Sequence, residues 1–160
     1  VKHLERIDEL DMKILAELVK DASISVPRMS KKINVNSSVV YSRIKRLVKR
    51  GLIKKFTIVV NEETLGFNVR AIIGVSMDSK LRDNVLAELF KVPEVREITE
   101  VTGRFDVLVT VAARALDEMH QLISDKIGRI EGVQKTETFV EMKKTVKEPQ
   151  YSTALQAIAK

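Results

Sequence analysis

Asn34-Val35-Asn36-Ser37-Ser38-Val39-Val40-Tyr41-Ser42-Arg43-Ile44-Lys45-Arg46-Leu47-Val48-Lys49-Arg50-Gly51 reads as a tight turn that delivers a basic helix. Asn34 tolerates left-handed backbone, Asn36 is a fresh N-cap, and Gly51 is a helix stop. Between them Val40, Ile44, Leu47 and Val48 recur at helical spacing as an inward stripe, which turns Ser37, Ser38, Tyr41, Ser42, Lys45, Arg46 and Lys49 toward solvent. Upstream, Ser25 caps a short helix with Pro27 in its first turn and Val26, Met29 and Ile33 on one face. Farther upstream, Asp8 caps a helix that carries Leu10, Ile14, Leu15 and Leu18 and ends near Asp21. Helix, helix, turn and basic helix make a helix-turn-helix. Downstream, Leu52 to Val60 alternates and is β-branched, which predicts a strand carrying Lys54 and Lys55, the wing.

The charge is distributed to match. The 160 residues carry a net +6, but residues 1–60 hold 14 Lys and Arg against 6 acids, whereas 61–160 hold 14 against 16. Between Ala22 and Val60 there are ten basic residues and no Asp or Glu, the pattern a polyanion-binding surface requires. Short hydroxyls at the start of the helix can approach base edges, while Lys and Arg reach bases or phosphates farther along. The candidate DNA contacts are Ser37, Ser38, Tyr41, Ser42, Arg43, Lys45, Arg46, Lys49, Lys54 and Lys55. The competing explanation is a solvated helix face, which normally mixes both signs. Absence of cysteine removes disulfides, thiolate zinc sites and thiol nucleophiles. Neither a membrane-length apolar run nor a secretory leader at Val1 to Glu5 is expected, which points to the cytoplasm.

The second half reads as βαββαβ. Strand character at Ala71 to Met77, Val95 to Val101, Asp106 to Ala112 and Val133 to Met142 alternates with helical spacing at Leu81 to Phe90 and Leu116 to Ile130. Two interleaved right-handed βαβ units give an antiparallel ferredoxin-like sheet with both helices on one face. Ile72, Val101, Leu108 and Phe139 fall on the other face, whose cover is expected to be a second copy of the chain.

These features resemble the Lrp/AsnC family of feast/famine regulators over about Ile7 to Lys147. Asp8-Glu9-Leu10-Asp11-Met12-Lys13-Ile14-Leu15, followed by Val40 to Ile53, resembles the family's DNA-binding signature. Val101-Thr102-Gly103-Arg104-Phe105-Asp106 resembles the Gly-x-aromatic-Asp loop of its ligand-sensing domain, and Gly132-Val133 with Thr136 to Val140 its last strand. The resemblance implies double-stranded DNA as partner, dimers that assemble further, often to octamers, and an amino-acid effector between subunits. It implies effector contacts from Thr102, Gly103, Arg104, Phe105, Asp106, Thr136, Thr138 and Phe139, with Asp106 accepting the effector's ammonium group. The alternative for Gly103 and Asp106 is a tight turn and its hydrogen-bonding partner. Arg104 replaces an acidic residue common in the family, so the effector's identity is not carried over.

The expected class is α+β: a winged helix-turn-helix over 1–55, a linker strand or wing over 56–70, a RAM-like ferredoxin-like domain over 71–147 and a tail over 148–160 that has the composition of a short helix. A regulator without catalytic residues, metal or cofactor is expected. Its rivals are an architectural DNA-compacting protein and a siroheme-decarboxylase-like enzyme. His3 and His120 offer such an enzyme no neighbouring nucleophile or metal ligand in sequence.

Overall fold

The structure is a computed structural model that describes residues 7–151. His3 and the apolar tail residues Ala154 to Ala159 lie outside them. The chain divides into two compact units, residues 1–59 with 146–160, and residues 60–145. The division after residue 59 falls inside the segment expected as linker, and the one after residue 145 falls inside the expected domain over 71–147. Among the described residues no helix is long and apolar enough to cross a membrane.

The first unit holds α1 (Glu9–Lys20), α2 (Val26–Ile33) and α3 (Ser37–Lys49). Each begins on the cap read from sequence. The Asp8 carboxylate accepts from the Asp11 amide at 2.9 Å, while Asp11 accepts from the Asp8 amide at 3.2 Å, a closed capping box. Ser25 and Asn36 cap α2 and α3, and Asn34 is left-handed at φ 54°. Ile14, Met29, Val40 and Leu47 form the buried centre, ringed by Leu10, Leu18, Ile33, Ile44 and Ile53. Val48, expected inside, is instead 45% exposed. At 100° per residue it stands roughly 75° around α3 from the centre of the Val40, Ile44 and Leu47 row, beyond the edge of the stripe. Gly51, at φ 74°, ends α3 and lets the Leu52 and Ile53 amides both reach the Leu47 carbonyl.

Leu52 to Val60, expected as a strand, forms none. Alternation and β-branching favour extended backbone, but a strand exists only with a partner for its amides and carbonyls. The four described strands all pair with one another in the second unit. Ile58 and Val59 are accordingly 81% and 99% exposed.

The second unit contains β1 (Val69–Met77), α4 (Arg82–Lys91), β2 (Val95–Glu100), β3 (Val107–Ala113), α5 (Leu116–Gln121) and β4 (Val133–Val140). The antiparallel sheet runs β2-β3-β1-β4, the ferredoxin-like order. Alternation along β1 and β3 sends Ala71, Ile73, Val75, Val107, Val109 and Val111 into a core closed by Val85 and Leu89 of α4 and Met119 of α5. The second helix is not the single α-helix expected over 116–130. After Gln121 it widens into a π-type turn, Leu122–Ile127, closed by the Gly128 amide on the Ile123 carbonyl at 2.8 Å. That turn still seats Leu122 and Ile127 in the core.

The stretch 61–68 folds onto this unit through charge. Glu62 accepts from Arg70 at 3.2 Å and Arg96 at 2.6 Å, and the Phe67 ring lies 5.0 and 5.5 Å from the guanidiniums of Arg96 and Arg114.

Candidate DNA-binding face and effector site

The outer face of α3 separates the sequence candidates into two groups. Ser38, Tyr41, Ser42, Lys45 and Lys49 are exposed, as are Lys54 and Lys55 beyond it, while Ser37 is half-buried. Lys45 Nζ stands 5.3 Å from the centre of the Tyr41 ring, so the two form one cationic aromatic projection. The Ser38 hydroxyl already donates to Asn36 Oδ1 at 2.8 Å, which ties it to the helix cap.

Arg43 and Arg46 behave differently. Arg46 Nη2 donates to both oxygens of Asp11, at 2.8 and 2.6 Å. Arg43 Nη1 lies 3.2 Å from Asp11 Oδ1 and also bonds Asp8. Asp11 is completely buried. The two arginines, expected on the DNA face, therefore bind α3 to the start of α1. Two acids three residues apart on one helix meet two arginines three residues apart on another, each pair lying on one helix face. That matched spacing was the signal in the sequence.

The clamp carries a pH dependence. Burial pushes the Asp8 carboxyl up, but the hydrogen bonds from Arg43 and the Asp11 amide, with the charges of Arg43 and Arg46, hold it below the usual aspartate value. Hydrogen bonds to the Asp8 and Asp11 carboxylates, with their charges, raise Arg43 above its ordinary range, against burial, which lowers it. Because the folded-state pKa of Asp8 is depressed, its stabilisation is complete above the unfolded value near ~3.9 and is lost as pH falls through the folded value. Asp8→Asn is expected to lower stability at neutral pH and to flatten the acid limb of the unfolding profile, measured by circular dichroism during acid titration. An acid limb of unchanged steepness would show that Asp8 contributes nothing there.

In the second unit the sheet register divides the effector candidates. Thr136 pairs with Val75 and Thr138 with Ile73, so both threonines lie on the helix-covered face. Phe139 pairs with Ile72 on the open face, 45% exposed. There it meets Phe105 edge-on, with centroids 6.3 Å apart. Phe105 lies over Gly74, where any Cβ would stand 2.6 Å from the ring. Arg104 lies 4.9 Å from the same ring and bonds Glu137 at 2.7 Å. Sequence reasoning singled out neither Gly74 nor Glu137. A glycine within an apolar strand marks a close approach, and Glu137 shares the open-face parity of Phe139.

Asp106 is already engaged. Its Oδ2 accepts from the Met77 amide at 2.9 Å, its amide donates to the Val75 carbonyl at 3.0 Å, and its carbonyl accepts from the Val101 amide at 3.0 Å. The residue secures the loop where the β1–β3 ladder ends, so Asp106→Ala would strip a buried amide of its acceptor as well as testing a ligand contact. Gly103, at φ 136° and with open space where a Cβ would stand, is the exposed apex of that loop, between Thr102 and Arg104. The open face thus offers a guanidinium, a carboxylate and two aromatic rings together.

Comparison with known proteins places both units. Residues 7–54 match a family model described as winged helix-turn-helix DNA-binding, and residues 70–151 match the Lrp/AsnC ligand binding domain. The chain is 37% identical over 137 residues to the HTH-type transcriptional regulator FL11 of Pyrococcus furiosus, covering 86% of this chain and 90% of that protein. Among solved structures, AsnC of E. coli superimposes with a TM-score of 0.84 at 28% identity, over 90% of this chain and 97% of its own. The transcriptional regulator NMB0573 of Neisseria meningitidis, solved as an L-Met complex, shares the fold with a TM-score of 0.86 at 22% identity, over 91% and 96%.

Proposed function

The chain belongs to the Lrp/AsnC family of DNA-binding transcriptional regulators, and from that premise we propose that it reads a specific duplex sequence through α3 and adjusts its binding to an amino acid held by its second unit. The observation that carries the first part is the acid-free outer face of α3, where Tyr41, Ser42, Lys45 and Lys49 are exposed. Ser42 and Lys45 address base edges; Lys54 and Lys55 address phosphates. Such a protein works where the chromosome is, in the cytoplasm.

For the effector, the supporting observation is the Arg104–Glu137 pair beside Phe105 and Phe139. An α-amino acid carries both complementary charges. It can enter between the pair, giving its carboxylate to Arg104 and its ammonium to Glu137, and lay its side chain against the rings. The neisserial structure of the same fold is a complex with L-methionine, a molecule of that class. The open sheet face with Ile72, Leu108 and Phe139 is the surface through which two copies associate, the first step toward a higher oligomer.

Selection of genomic fragments by the purified protein at near-physiological salt, with and without a mixture of the twenty amino acids, tests the reading. A palindromic site whose enrichment shifts with the mixture is expected. Uniform, salt-sensitive retention would replace it with the architectural reading, and absence of retention would overturn both. On the selected site, Ser42→Ala with Lys45→Ala is expected to reduce discrimination against mismatched sites about tenfold. Lys54→Ala with Lys55→Ala is expected to weaken all duplexes alike and lower the salt slope by about 2. Identical behaviour of the two double variants would reject the division of roles.

A further inference from the structure

The first unit carries an apolar groove that its three-helix core does not use. It has a volume of about 630 Å³, and its walls include Met12, Leu15 and Val19 of α1 and Leu52 and Phe56 of the segment after α3. Val19, Leu52 and Phe56 are 38, 44 and 53% exposed, although Ile14, Met29, Val40 and Leu47 already close the core without them. The groove falls in the size range of pockets that take small organic molecules, roughly 300–1,000 Å³.

Its charge is of one sign. Lys54 and Lys55 line it, both exposed, and no Asp or Glu does so among the described residues. The chain sets the two lysines between Leu52 and Phe56, so ammonium groups and apolar walls border each other. A neutral apolar molecule would use the walls and leave two cations without a counter-charge, and a cationic one would be repelled. We propose that the groove is a binding site for an amphipathic anion, an apolar carboxylate whose body lies against Met12, Leu15, Val19 and Phe56 and whose head meets Lys54 and Lys55. It differs in kind from the effector site proposed on the sheet, where an α-amino acid meets charges of both signs. A consequence for DNA rests on the phosphate role proposed for Lys54 and Lys55: a carboxylate held by the same two ammonium groups competes with the duplex backbone.

Decanoate, decanol and decyltrimethylammonium put one chain on an anionic, a neutral and a cationic head. Titrated into the full chain below their aggregation concentrations and followed by calorimetry, decanoate is expected to saturate one site per chain. It is expected to bind about tenfold more tightly than decanol, with decyltrimethylammonium the weakest. Octanoate, two methylenes shorter, is expected to bind about tenfold more weakly than decanoate. Lys54→Ala with Lys55→Ala is expected to bring decanoate down to the level of decanol. The chain has no tryptophan, so Phe56→Trp places a single reporter in the groove, whose emission is expected to shift to the blue with decanoate. Absence of saturable decanoate binding, as when a second copy covers the groove, overturns the proposal. So does binding indifferent to the head group, or binding that leaves the reporter unmoved. Competition is read separately: saturating decanoate is expected to weaken retention of every duplex about tenfold. Unchanged retention with the site filled would reject the phosphate role of the two lysines and leave the site standing.

Discussion

Asp11→Ala is expected to lower the stability of the N-terminal unit by about 3 kcal/mol, the low end for breaking a buried ion pair, and DNA binding falls with it. Two contributions act together. The completely buried carboxylate is the shared acceptor of Arg43 and Arg46, so its removal takes from Arg46 the carboxylate it donates to and leaves Arg43 with Asp8 alone. It also opens the capping box, since the Asp8 amide loses its acceptor. The low end applies because the arginine side chains, 25 and 35% exposed, can turn part of their charge back to water. Hydrogen exchange on the amides of α1 and α3 in the full chain isolates the effect from the second unit. Undiminished protection would mean that the clamp adds nothing to stability. Lys45→Ala, on the same helix but outside the clamp, is expected to leave protection unchanged.

Gly74→Ala is expected to cost about 1–3 kcal/mol, the usual range for overpacking, and, under the proposed effector role, to remove the response to an amino acid. Its new methyl would stand 2.6 to 2.7 Å from three atoms of the Phe105 ring, and Gly74 is held on both sides, by Leu108 of β3 and Glu137 of β4. The central strand cannot yield, so the ring must. Its displacement breaks the edge contact with Phe139 and moves Arg104, which rests against the same ring and reaches Glu137. A double-mutant cycle with Phe105→Ala checks the cause. If the ring is the obstacle, the double variant is destabilised by less than the sum of the singles. Strict additivity would place the strain elsewhere, and a preserved effector response in Gly74→Ala would move the binding site off this face.

Local features were the legible ones. The caps at Asp8, Ser25 and Asn36, the left-handed Asn34 and the stop at Gly51 depend on a few neighbouring residues, and the apolar stripes of α1, α2 and β1 follow from period alone. Features that depend on residues distant in sequence were not. Arg43 and Arg46 read from sequence only as DNA contacts, and their part in holding α3 to α1 shows only when the acids 32 to 35 residues before them are brought alongside. Thr136, Thr138 and Phe139 form one motif in the sequence, yet a strand sends alternate residues to opposite faces, and only the pairing with β1 tells which face is covered. Asp106 was named with two roles open, and its bond to Met77 spans 29 residues. The predicted strand at Leu52 to Val60 failed for the complementary reason, because propensity describes a backbone conformation and not the partner that completes it.

The arginine clamp also has a consequence for how such proteins diversify. Tyr41, Ser42, Lys45 and Lys49 take no part in the bonds that Arg43 and Arg46 make with Asp8 and Asp11, so under the proposed reading the address read on DNA and the stability of the reader are written in different letters of one helix. After a gene duplication, the outward letters can change one at a time without a toll on folding, so a copy can acquire a new set of promoters while its scaffold stays as it was. An engineer can use the same separation, exchanging those four positions between relatives and leaving Asp8, Asp11, Arg43 and Arg46 untouched.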